Sequence, residues 1–240
     1  MKNYKRNVEP LEFLLSKYKF ETDKIKNIST GLRYTAVLLK NGNIGVCANL
    51  GYKIDTDINN YLAIDLENFS HRIVLNSYFN ALLNYSHSSN NDVDIFQAID
   101  FKKYKKIVML GFIKPVVEQF HLFNIPISIF DFQKEDPELT SISEEIKLLN
   151  YADAVILTST SIFNKSFLDS INATDNNCDI FMIGPSSIMA PEILEYKNIN
   201  MIFGSTFAKA DDRVLKIISE GGGTKEFLKF GNKSVLKVID

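Results

Sequence analysis

The sequence predicts an α/β chain in two parts: a small α+β domain over residues 1–92 and, over 93–240, an open parallel sheet of about five strands with helices on both faces. Three observations predict it. Beyond residue 93, short apolar runs recur at intervals, each followed by a segment that can be helical, which is the alternation that builds a parallel sheet. The runs are nearly uninterrupted by polar residues, as strands buried on two sides are. Before residue 93 the pattern is different, with a hairpin lying between two helical segments.

The elements follow in order. Residues 10–20 space Leu11, Leu14, Leu15 and Tyr18 as a helix does, with Pro10 in the first turn, where a missing N–H costs nothing. In "GLRYTAVLLKNGNIGVCANL" two β-rich runs flank Asn41 and Gly42, a pair suited to φ > 0 in a tight hairpin. "HRIVLNSYFNALLNYS" places Ile73, Val74, Ser77, Tyr78, Ala81, Leu82 and Tyr85 on one face of an amphipathic helix. The polar, turn-rich "SHSSNNDVD" (86–94) is the expected boundary and has the length of a short hinge. Strands are then expected at "KIVML" (106–110), "IPISIF" (125–130), "DAVILT" (153–158), "DIFMI" (179–183) and "INMIF" (199–203). Ser141 stands three residues before Glu144, as a capping box requires, and Asp211 with Asp212 suits a helix start.

Composition excludes several classes of function. A formal net charge of -2 supplies no field to attract nucleic acid or anionic lipid, so neither is expected as a partner. No segment approaches the roughly 20 apolar residues that cross a bilayer. Glu9, Pro10 and Glu12 interrupt the N-terminal "MKNYKRNVEPLEFLL", so the chain reads as cytoplasmic rather than as one led by a signal peptide. Cys47 and Cys178 have no second cysteine or histidine at metal-ligand spacing and read as free buried thiols. His71, His87 and His121 belong to separate elements without HxxxH or HExxH spacing, and no GxSxG elbow is present. Asp131 and Glu118 are the acid–base candidates, Asp131 the better one, and whether any reaction is catalysed stays open.

Ligands of an open parallel sheet bind outside the carboxyl ends of its strands, so the strand-end loops carry the functional expectation. The first reads Gly111 to Pro115 and has one glycine where GxGxxG needs three; Lys114 in it suits an anion or plain solvation. Asp131 follows the second strand at a spacing from Gly111 where an acid can receive a ribose diol. After the third come hydroxyls at Thr158, Ser159, Thr160 and Ser161 and the amide of Asn164, a residue that is a mediocre helix former and needs other employment. After the fourth, Gly184, Pro185, Ser186 and Ser187 combine close backbone approach, stiffness and two hydroxyls at the mouth of an expected helix. A turn of that composition also forms with no ligand at all. Gly204, Ser205 and Thr206 end the fifth strand, and Gly221, Gly222 and Gly223 exceed what a helix stop needs, suiting a flap or a cap before a hairpin at "SVLKVID".

Taken as a set, "VMLGFIKPVV", "ISIFD", "ADAVILTSTSIFNKSF", "IGPSSIMAP" and "GSTFAKADDRVLKIISEGGG" resemble the C-terminal Rossmann-like domain of the "Putative heavy-metal chelation" family. "GLRYTAVLLKNGNIGVCANL" and "IVLNSYFNALLNYS" resemble that family's first domain, whose fold is like the N-terminal domain of enolase. The resemblance implies a cleft between the domains lined by Gly111, Pro115, Asp131, Thr158, Asn164, the 184–187 turn, Pro191, Gly204 and the 221–223 glycines, with Asn76 and Asn80 facing it from the first domain. Ser159 departs from the glycine that relatives often carry there. The expectation is a small polar or anionic metabolite, or a metal chelate, in that cleft. A metal ion and a nucleotide-like ligand stay open as cofactors, and a homodimer as partner. The alternative is a non-catalytic sensing or oligomeric assembly module.

Overall fold

The computed structural model describes residues 7–87, 93–132 and 136–238. The first domain begins with helix α1 (Pro10–Tyr18), then strands β1 (Ile25–Thr30), β2 (Tyr34–Leu39) and β3 (Ile44–Ala48) in an antiparallel sheet ordered β1-β2-β3, and the long helix α2 (Phe69–His87). Gly42 takes φ +91 in the β2–β3 hairpin, as its pairing with Asn41 predicts. β1 was outside the expected elements because "IKNIST" has neither an apolar run nor clean alternation.

The second domain contains α3 (Ile95–Ala98), β4 (Ile107–Leu110), α4 (Lys114–Leu122), β5 (Ser128–Phe130), α5 (Glu145–Asn150), β6 (Ala154–Thr158), α6 (Phe167–Asn172), β7 (Asp179–Ile183), β8 (Ile199–Phe207), α7 (Asp212–Ser219), α8 (Thr224–Phe227) and β9 (Gly231–Lys237). Its six strands run β5-β4-β6-β7-β8-β9, with the first five parallel and β9 antiparallel to β8. All five expected strands form, and the C-terminal hairpin adds the sixth. The order reverses between β4 and β6, which makes that gap the topological switch point. Asp211 caps α7 by accepting from the Arg213 amide, whereas Ser141 makes no cap: its hydroxyl lies 2.9 Å from that of Ser143.

Helix α2 explains how the halves fit together. It is buried from Arg72 through Ala81 without a break, so it has no solvent face there and is not the one-sided amphipathic helix its spacing suggests. One side packs on β2 and β3, where Gly45 lets the helix backbone approach so closely that a Cβ would overlap Ser77 O and the Ala81 amide. The other side covers the large sheet, and one apolar core runs from Leu11, Val37 and Tyr78 through to Val108, Leu157 and Met182. The second domain reciprocates: Val214, Leu215 and Ile218 of α7 and Phe227 of α8 pack on Ala36, Leu38, Ile44 and Val46, the opposite face of the small sheet. The far face of the large sheet is closed by α3, the residue that follows it and α4, through Ile95, Ile99, Val116, Val117 and Phe120. The layers are therefore interleaved between the domains. Of the expected 86–94 boundary, residues 88–92 lie outside those described.

Candidate functional site

The carboxyl ends of β4, β6 and β7 lie side by side, and glycines set how closely their loops approach. Gly111 after β4 has φ +92, and a Cβ there would come within 2.7 Å of Thr158 Cβ. Gly184 after β7 has φ +142, and its Cβ would overlap Ser159 Oγ. Both positions need the left-handed backbone region, and both use the missing side chain to seat a neighbouring loop. Ser159 fills space beside Gly184 and is itself buried.

The β6 loop leaves its strand through a 3-10 turn, Ser159–Ile162. Thr158 caps that turn, with its Oγ1 3.1 Å from Thr160 Oγ1, and both threonines remain partly exposed. Ser161 is buried, its hydroxyl without a partner among the described residues. Asn164 finds its employment locally: Oδ1 accepts from the Ser166 amide at 3.0 Å and from its hydroxyl at 2.7 Å, turning the chain into α6. Asp131 ties β5 to the β4 loop by accepting from the Phe112 amide at 2.7 Å. Lys114, Pro115 and Glu118 lie exposed on the first turns of α4.

The 184–187 turn has a different environment. No α-helix follows it; the chain continues to a 3-10 turn, Pro191–Glu195, so the expected helix N-terminus for an anion is not formed there. Ser186 and Ser187 are buried against α2 and β3. Ser186 Oγ accepts from the Ala48 amide at 3.0 Å, and Asn76 donates to Ser186 O at 2.9 Å. Asn80 donates to Pro185 O at 2.9 Å and to Ser187 O at 3.1 Å. Asn84 donates to Ser187 O at 2.9 Å and accepts from the Met189 amide at 2.8 Å. The three asparagines stand four residues apart, one per turn on one face of α2, and satisfy backbone groups that burial would otherwise orphan. Gly184 and Pro185 stay partly exposed at the rim.

The remaining expected residues disperse. Gly204 lies within β8 against Met189 and Ser187. Gly221 has φ +85 beside Leu32, Gly222 lies against Ile217, and Gly223 lies against the Arg33 side chain, so this run docks the α7–α8 turn on the β1–β2 turn. The Gly223 amide donates to Glu226 Oε2 at 2.8 Å. Pro191 is exposed.

Two interdomain groups escaped the sequence reading. Arg72, 1% exposed, donates to Phe163 O at 2.5 Å and Ile162 O at 3.0 Å and pairs with Glu9 at 2.7 Å, fixing the β6 loop to the first domain. Glu192 pairs with Lys17 and accepts from Tyr18 Oη at 2.6 Å. Burial pushes its carboxyl up, but those two bonds together hold it below the ordinary glutamate range. Asn84 was also missed, although it extends the spacing of Asn76 and Asn80.

The soft-donor side chains are scattered. Cys47 is fully buried beside Ser186 and Asn76, and burial drives its thiol upward. Cys178, buried just before β7, is pushed up to about 12 by burial and by the carboxylates around it. His71 Nδ1 accepts from the Asp65 amide at 3.1 Å, and His121 lies 3.4 Å from Glu138. The side chain of His87 lies outside the described residues. Among the described residues no three of His, Cys, Asp and Glu converge as a metal site would need, and no helix is long and apolar enough to cross a membrane.

Comparison with known proteins bears on both halves. Residues 12–90 match the DUF4213 family model and residues 94–237 the DUF364 model, each described as "Putative heavy-metal chelation". A DUF364-family protein of unknown function from Pyrococcus horikoshii superposes with a TM-score of 0.74 at 19% identity, over 89% of this chain and 93% of that one. Another, from Desulfitobacterium hafniense DCB-2, gives 0.69 at 18% identity, over 95% and 96%. These likenesses describe the fold. No curated protein matches the chain.

Proposed function

Because this chain belongs to the family described as "Putative heavy-metal chelation", we propose that it binds a small polar or anionic organic ligand, including the organic shell of a metal chelate, where the β4, β6 and β7 loops meet. The single observation that carries this reading is the position of the switch point: Gly111 and Thr158 flank it, and the partly exposed hydroxyls of Thr158 and Thr160 stand 3.1 Å apart beside it. Hydroxyls donate to and accept from carboxylate, phosphate or hydroxyl groups alike. The open backbone of Gly184 and Pro185 adds a second wall, and Asp131, held to the Phe112 amide, supplies the nearby carboxylate that orients a ligand or exchanges a proton. Ser186, Ser187, Asn76 and Asn80 support this rim from beneath. Among the described residues, the donors that a bare heavy-metal ion would require are not gathered at this rim.

Calorimetric titration with hydroxycarboxylates, phosphate esters, nucleotides and metal chelates tests the reading. A binder is expected whose affinity falls about 10- to 100-fold in a Thr158→Val, Thr160→Val variant, the loss of two hydrogen bonds of about 1 kcal/mol each with some desolvation cost. Equal affinity of wild type and variant for every binder found would refute it.

A further inference from the structure

We infer that this chain holds no thiophilic metal ion with its own side chains, and that any heavy metal it handles reaches it already enclosed in an organic chelator. The second half rests on the strand-end reading above; the first half does not.

Soft ions favour thiolate and imidazole, and a protein site needs three or four such donors within bonding distance of one point. The chain has two cysteines and three histidines in all. The cysteines cannot share an ion: Cys47 sits beside Ser186, past the carboxyl end of β7, while Cys178 precedes that strand's first residue. The five extended residues between those ends span about 17 Å. Both cysteines are buried in the core, Cys47 with Ser186 and Asn76 as its polar neighbours and Cys178 among carboxylates that oppose a thiolate. Their upward shifts agree, since a coordinating cysteine must give up its proton and burial opposes that. The described histidines do not complete a set, because His71 has its Nδ1 committed at the start of α2 and His121 lies at the far end of α4 with one carboxylate. The hydroxyls and amides of the strand-end rim suit the oxygen-rich exterior of a chelate and not the ion inside it.

The test uses the full chain. It is dialysed against Zn²⁺, Ni²⁺, Co²⁺ or Cu²⁺ alone and then against buffer, and retained metal is counted by mass spectrometry. Thiols are titrated with Ellman's reagent before and after unfolding in guanidinium. No stoichiometric retention is expected, with both thiols silent until the chain unfolds, and a Cys47→Ala variant is expected to retain no metal either, its one remaining thiol silent until unfolding. One ion retained per chain, whichever residues hold it, overturns the inference, as does a native thiol whose reactivity bound metal suppresses. In a second arm, the nickel–citrate complex is expected to be retained with metal and citrate in equal amount. Metal retained without citrate overturns the inference. If neither citrate nor its complex binds, the chelator half falls with the strand-end reading, while the first half is judged by the metal counts alone.

Discussion

At the scale of single residues, the chain spends its unusual backbone on loop packing. Gly184→Ala would force a Cβ into Ser159 Oγ at φ +142, combining overpacking and backbone strain for an expected loss of about 2–4 kcal/mol. Adding Ser159→Gly should recover the overpacking part and leave the strain, which denaturant unfolding of the single and double variants will resolve. No recovery would mean that the two loops do not meet as described. Asn84→Ala leaves Ser187 O without this donor and the Met189 amide without its acceptor, both buried. A loss of about 2–4 kcal/mol is expected, against little change for the exposed Asn59→Ala. Sequence alone marked Gly111, Gly184, Asn76 and Asn80 as special and could not say for what. A glycine chosen so that a ligand can approach and one chosen so that another loop can approach carry the same letter, and an asparagine in a helix reads as cleft-facing or carbonyl-binding until its neighbours are known.

Elements were read better than their surroundings. The five apolar runs announced five parallel strands because two-sided burial leaves no place for polar residues. β1 went unseen because its pairing with β2, and not its own pattern, makes it a strand. Helix α2 showed a helical period but not its burial on both sides, because the polar residues at 76, 80 and 84 imitate a solvent face. The docking of α1 on the β7–β8 crossover carries a pH dependence. The folded-state carboxyl of Glu192 is depressed relative to the unfolded chain, so its contribution is present above the ordinary glutamate range of about 4 and is lost as pH falls through the lower folded value. Glu192→Gln should therefore melt below wild type at pH 7, with the gap closing as pH falls through that range. A gap that stays constant or widens in acid would contradict the pairing with Lys17 and Tyr18.

Over the whole molecule, two sequence patterns produce one interlocked body. The small sheet is covered by α7 and α8 from the second domain and the large sheet by α2 from the first, so each domain completes the other's core. Calorimetric melting should show one transition whose calorimetric and van't Hoff enthalpies agree. Two separable transitions, or a stable fold from residues 93–240 alone, would contradict the shared core. Nothing in the sequence reveals this interleaving, because the partner of an apolar face is a property of the folded arrangement.

Hydrogen exchange with and without the tightest calorimetric binder tests most directly whether the switch-point rim is where this chain meets its ligand. Slowed exchange concentrated at 111–113 and 158–164 is the predicted result. Protection confined to other segments, with these two unchanged, would contradict it.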